Sequence, residues 1–357
     1  MDEPPLIVFG AFDRHNLGDL LLGQVAAREA EPRRVLFAGL AARDLRDCGG
    51  MRVESLQMLA HAWPQRYRGA PADLVVAGGE LLTTTAWEAA IMLQPAEHTN
   101  ALCGAFGGDA ASRAGFARER LGVDCGLPYL PRRALFQRSG YWQARALGGA
   151  CFGQLDATLQ CEALSALHEL NELSVPEHAT AGELAALGMA VQIEADPVTR
   201  VFDHFGALIA SRRRRGAAKD IARACPRGYL AVQFAAQYGD DANITRIAAD
   251  VTAAARAAGV RDLVFFRAGL APWHDDWAPY RRCAARMGEL SAHLFESPNV
   301  WDLCALVAGS QACCATSLHV AMLARCRAVP LVLLDAGQDA KLAAWQASWP
   351  CRTGRAG

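Results

Sequence analysis

Several familiar signatures are missing from this chain of 357 residues, and each absence removes a class of function. No apolar run reaches the roughly 20 residues that a membrane-spanning helix needs. The first residues, Met1-Asp2-Glu3-Pro4-Pro5, lack the basic start of a secretory signal and lead straight into a strand pattern. A cytoplasmic location is therefore expected. Charge of one sign is not in excess: the formal net charge is −1, which gives no bulk electrostatic case for nucleic acid. No Gly-x-Gly-x-x-Gly fingerprint, Gly-Lys-Ser/Thr phosphate loop, Gly-x-Ser-x-Gly elbow or His-Glu-x-x-His motif occurs. Twelve cysteines are present but none forms a Cys-x-x-Cys pair, and several sit in apolar runs. Buried, reduced thiols are the expectation, with no metal site.

What remains is a globular composition, 52% hydrophobic and 20% charged. The length suits two domains. Apolar strand patterns alternate with helical ones throughout, as in a parallel sheet covered on both faces. In the first half, strands are expected at residues 6–9, 34–37, 52–56, 73–77, 149–153, 172–175 and 191–194. Helices are expected at 17–29, from about 86, and at 110–121, 156–167 and 179–187. Arg212 to Arg215 break the apolar pattern. The domain boundary is expected there, giving units 1–211 and 212–357. The second half repeats the alternation, with strands at 229–234, 262–266, 292–295, 312–315 and 329–334. Its helices are expected at 242–258, 276–287, 300–308 and 318–325. The fold class is thus α/β, two doubly wound Rossmann-like domains with a cleft between them. Ligands in such sheets bind outside the C-terminal strand ends.

Candidate residues gather at strand-to-helix transitions. After the first strand, Gly10 and Gly18 permit close backbone approach, Asn16 suits a helix cap, and Asp19 falls in the first helical turn. After the strand 73–77 come Gly78, Gly79 and Glu80, then Thr84 or Thr85 as a cap. Glycines here expose backbone N–H groups, and Glu80 is a candidate base. Ser174-Val175-Pro176-Glu177 ends a strand before a helix. His274-Asp275-Asp276 has adjacent spacing that fits a helix cap better than a metal site. Near the end, Ser317-Leu318-His319 opens a helix, where the free N–H groups favour anions and an imidazole can serve proton transfer. Each segment taken alone also fits a well-capped turn, and His319 alone also fits a packed core histidine.

In this order the segments resemble the polysaccharide pyruvyl transferase family. The resemblance rests on Asn16, Gly18 and Asp19 of an Asn-x-Gly-Asp loop, and on Gly78-Gly79 of a glycine-rich turn. It also rests on Ser174-Val175, on Gly188-Met189 followed by Asp196-Pro197, and on Leu318-His319 followed by Val329-Pro330. It covers roughly residues 6–334. It implies a glycosyltransferase-B-like fold. It implies transfer of a pyruvyl group from phosphoenolpyruvate, the donor substrate, to two sugar hydroxyls, with no cofactor. The acceptor would be a sugar or lipid-linked oligosaccharide of bacterial exopolysaccharide biosynthesis, with contact at the inner membrane face. His319 would act as acid/base, with Asp19 and Glu80 orienting or deprotonating the acceptor. Asn16, Gly18, Gly78, Gly79, Glu177, Arg267, Ser317 and Leu318 would bind substrate. The chain departs from the family where Pro176 and Ser317 replace arginines and Glu80 replaces a third glycine. Arg132, Arg133, Arg267 and Arg212 to Arg215 are the expected sources of replacement charge. Two other readings stand beside this one: a same-fold glycosyltransferase using a nucleotide sugar, and a catalytically silent relative that binds glycans or partners.

Overall fold

The computed structural model describes residues 3–335, 337 and 339–350. Thirteen strands among these residues form two sheets. The first contains β1 (Leu6–Phe9), β2 (Val35–Gly39), β3 (Arg43–Asp44), β4 (Arg52–Ser55), β5 (Ala72–Gly79), β6 (Ser139–Leu147), β7 (Glu172–Val175) and β8 (Gln192–Ile193). Their spatial order is β3-β4-β2-β1-β5-β6-β7-β8. Every pairing is parallel except the short β3–β4 edge. The second sheet contains β9 (Tyr229–Gln233), β10 (Asp262–Phe266), β11 (Ser291–Phe295), β12 (Ala312–Ala315) and β13 (Leu331–Leu333), in the order β11-β10-β9-β12-β13. It is parallel throughout.

Both sheets are doubly wound, and the winding reverses between β1 and β5 in one and between β9 and β12 in the other. Those reversal points open crevices at the C-terminal strand ends. The two crevices face each other across the cleft. The backbone stitches them together: Leu17 N donates to Ala268 O at 2.8 Å, and Leu270 N donates to His15 O at 3.0 Å. A single apolar core joins the halves behind the cleft. Leu20, Leu21 and Val25 of the first helix share it with Trp301, Leu303, Val320 and Met322.

Several sequence expectations need correction. No strand forms at 149–153, where a turn leads into a short 3-10 helix, Phe152–Gln154. The strand that fills this place is β6, whose Gln143 and Arg145 interrupt an apolar run. Arg145 is there to pair with Glu29 at 2.8 Å and with Glu194. The expected boundary after residue 211 falls inside the helix Val201–Arg214. That helix packs on the second half, with Phe205 against Trp301 and Arg212 bidentate on the buried Asp302 at 2.7 and 2.9 Å. The chain therefore changes sheets before Val201. The helix Ala340–Ser348, which no sequence pattern announced, docks back on the first half. There Trp349 Nε1 donates to Pro176 O at 2.7 Å, and Ser348 Oγ accepts from His178 N at 2.9 Å. Cys225, Cys283, Cys304, Cys313 and Cys314 are buried as expected, but Cys125, Cys161 and Cys326 are exposed. Among the described residues, no helix is long and apolar enough to cross a membrane.

Candidate functional site

The cleft holds a cavity of about 330 Å³, lined from both halves. Its first wall begins in the turn after β1. Asn16 caps the helix Leu17–Glu29, its Oδ1 accepting from Gly18 N at 2.9 Å and Asp19 N at 3.3 Å. This cap fixes the first turn and aims Asp19 at the cavity. Asp19 is buried, and burial raises its carboxyl pKa against the opposing pull of Arg14 and His319. Arg14 lies alongside, with Nη2 3.8 Å from Asp19 Oδ2 and Nη1 donating to Tyr129 Oη at 2.7 Å. Its Nε is buried with no acceptor in the protein.

The same wall continues at the end of β5. Gly78 and Gly79 take left-handed φ values of 61° and 79°, which only glycine adopts without strain. A side chain on Gly79 would start 3.1 Å from Asp19 Oδ1. Glu80 lines the cavity and accepts from Ala150 N at 2.8 Å. Burial raises its carboxyl as well. Glu177, only 2% exposed, is pushed up to about 8 by burial and by the nearby Glu80. Thr85, not Thr84, caps the following helix, in a capping box with Glu88.

The opposite wall is built from the ends of β9 and β12. Gln233 organises it: its Oε1 accepts from Thr316 N at 3.2 Å and Ser317 N at 2.9 Å, while its Nε2 donates to Asp275 Oδ1 at 2.8 Å. Ser317 spends its hydroxyl capping the helix Leu318–Cys326. His319, in that helix's first turn, has a side chain 15% exposed with Nε2 3.4 Å from Asp196 Oδ2, an ion-pair distance. Burial alone would lower the imidazole pKa, but the carboxylates of Asp196 and then Asp19 outweigh it and hold it above its usual value. Its ring rests on Gly18: a methyl carbon there would fall 1.8 Å from His319 Nδ1. His274 behaves oppositely. Burial and the charge of Arg14 push it down to about 3, so it is neutral. Asp275 is pushed up to about 7 by burial, against the pull of the Ala268 N–H that it accepts. Lys341 and Asp339 close the lining from the C-terminal helix.

The expected residues Asn16, Asp19, Gly79, Glu80, Glu177, Ser317, Leu318 and His319 all line this cavity. Gly18 and Gly78 lie behind the lining, one under the His319 ring and the other against Leu22 and the Ala146 carbonyl. Arg267 does not line it; its guanidinium stacks over Trp277 at 4.5 Å. Nor do the other expected arginines. Arg132 pairs with Glu169, Arg133 bonds to Glu169 O and Gly140 O, and Arg212 holds Asp302. The cations that do line the cavity are Arg14 and Lys341, and neither was anticipated. Gln233 and Asp196 were also missed as site residues. A polar residue closing the apolar run Tyr229–Gln233 was the signal available for Gln233. Of the His274-Asp275-Asp276 run, only Asp276 acts as the helix cap, accepting from Ala278 N at 2.9 Å.

No protein-family model and no curated protein matches the chain. Solved structures match in fold. The UDP-GlcNAc 2-epimerase of Methanocaldococcus jannaschii aligns with a TM-score of 0.52 at 9% identity, over 92% of this chain and 82% of that one. The Neisseria meningitidis enzyme of the same name, bound to UDP-GlcNAc, aligns at 0.44 with 10% identity over 92% and 81%. ADP-heptose heptosyltransferase II of Escherichia coli aligns at 0.38 with 9% identity over 92% and 84%. The fold is glycosyltransferase-B-like.

Proposed function

We propose that the chain is a carbohydrate-modifying transferase in which His319 is the general acid, and that its donor is phosphoenolpyruvate. The observation that carries this reading is the imidazole inside the cleft with Nε2 3.4 Å from Asp196 Oδ2, where the carboxylates of Asp196 and then Asp19 favour its protonated form. A protonated imidazole suits delivery of a proton to the methylene carbon of an enol phosphate. One sugar hydroxyl, losing its proton to Asp19 or Glu80, then bonds to the central carbon. A second hydroxyl closes the ketal, its proton passing to the now neutral His319, as the carbon–oxygen bond to phosphate breaks and inorganic phosphate leaves. Arg14, with an unspent buried Nε–H, and Lys341 supply positive charge for the anionic donor. The acceptor would be a sugar or a lipid-linked oligosaccharide.

A second reading has its own support. Among the described residues, Asp19, Glu80, Glu177, Asp196, Asp275 and Asp339 line the same cavity as two permanent cations. Carboxylates in such number suit the hydroxyls of a sugar better than a donor with two anionic groups. A nucleotide sugar, whose sugar end would meet these groups, is therefore the competing donor.

Calorimetric titration with phosphoenolpyruvate, and separately with UDP-GlcNAc, decides between them. Saturable phosphoenolpyruvate binding that weakens about tenfold or more in Arg14→Lys supports the first reading, since lysine cannot reproduce the guanidinium fork. Phosphate release with a diol acceptor, lost in His319→Asn, completes it. Binding of the nucleotide sugar alone transfers the assignment to the second reading. Binding of neither leaves the silent relative.

A further inference from the structure

We propose that Cys225, Asp262 and His293 bind a thiophilic divalent cation, zinc being the best match, at the end of the second sheet opposite the cleft. The three come from separate elements. Cys225 ends the helix Ala217–Ala224, Asp262 opens β10, and His293 is the middle residue of β11. Register brings the last two together. Asp262 pairs with Ser291 and Val264 with His293, so strand alternation puts His293 on the same face as Asp262. Cys225 packs on that face too, in one core cluster with Val264 and Phe295. One ligand atom from each residue lies within 4.8 Å of the other two, and His293 Nε2 is 3.0 Å from Asp262 Oδ1.

The donor set selects the cation. Sulfur and imidazole nitrogen are wrong for magnesium or calcium, which prefer oxygen shells, and right for zinc. Three protein ligands leave one tetrahedral position. Water can fill it, because the His293 and Asp262 side chains are 30% and 16% exposed while Cys225 is buried. Binding displaces the thiol proton to solvent as the Cys225 sulfur–metal bond forms. The bound ion would clip the helix end to β10 and β11. The cleft is lined from the other ends of the strands, by residues such as Gln233 and Thr316, so this site stands apart from the proposed reaction.

The test uses full-length protein, reduced and stripped with a chelator, then titrated with Co²⁺ as an optical probe. The expected result is one equivalent of cobalt giving a thiolate-to-cobalt charge-transfer band and tetrahedral d–d bands, both bleached by Zn²⁺. Cys225→Ser should abolish the charge-transfer band. His293→Ala should weaken cobalt binding by roughly tenfold or more. Zn²⁺ should also raise the Tm of the wild-type protein but not of His293→Ala. Should Cys225→Ser fail to fold, the half-exposed His293→Ala carries the same test. The proposal is overturned by the absence of a cobalt band at millimolar cation. It is overturned equally by a band that survives unchanged in His293→Ala, which would point to other cysteines.

Discussion

The two walls of the cleft are made by the same unit, a strand that hands over to a capped helix, yet they arrive at opposite chemistry. On one wall Asn16 is the cap, followed by Leu17, Gly18 and Asp19. On the other Ser317 is the cap, followed by Leu318 and His319. Gly18 and His319 hold equivalent places, each the second residue of its helix. One has no side chain, and the other fills the space this leaves. The first wall then supplies buried carboxyls and Arg14, and the second supplies the imidazole. The comparison teaches that neither helix start is a site alone. A capped helix N-terminus favours an anion, but here the group that titrates, His319, comes from the facing helix.

The largest expected effect comes from spoiling that fit. Gly18→Ala places a methyl carbon where the His319 ring sits, so the ring must leave. Turnover with the donor found by titration should fall about 10²–10⁴-fold, the usual worth of a positioned acid. Circular dichroism should show the fold retained. Wild-type turnover in Gly18→Ala would mean that His319 works from elsewhere or not at all.

A smaller effect separates the carboxylates from the imidazole that they support. Asp196→Asn removes the group that does most to hold the His319 pKa up. The protonated acid is then lost at lower pH. The descending limb of the rate–pH profile should move to lower pH, with the maximal rate less affected than in Gly18→Ala. An unmoved limb would assign that limb to another group.

The smallest effect concerns the first wall alone. Glu177 has a folded-state pKa of about 8 against an ordinary 4.5. The folded protein therefore holds this proton more tightly than the unfolded chain does. The stability it contributes is fully present below about 4.5 and is lost as pH rises through about 8. Glu177→Gln should flatten the Tm decline across that window. An identical decline in the variant would place its source in another buried carboxyl, Asp275 being the next to examine.

Most strands were legible because they are continuous apolar runs, and the start of the helix Leu17–Glu29 was legible because Asn16 caps it. β6 was not, because Gln143 and Arg145 interrupt its apolar run, and Arg145 answers to Glu29 and Glu194 on other elements. Nor was the helix Ala340–Ser348, whose buried faces, Leu342 and Trp345, gain meaning only against the shared core.

In the site, sequence order alone indicated which transitions line the cleft. Glycines, caps and a histidine at strand ends are local requirements of backbone geometry and can be read locally. The charges were decided only by tertiary structure. The expected arginines were sought by residue type, but Arg132, Arg133 and Arg212 bond to groups elsewhere, and Arg267 stacks on Trp277. Arg14 and Lys341 took their place from a loop and from the returning C-terminal helix. His274 and His319 are the same residue type in one cavity, one lowered and one raised. The difference is Asp196, 123 positions from His319 in sequence and 3.4 Å from it in space. Protonation depends on burial and on nearby charge, and both are fixed only when distant segments meet.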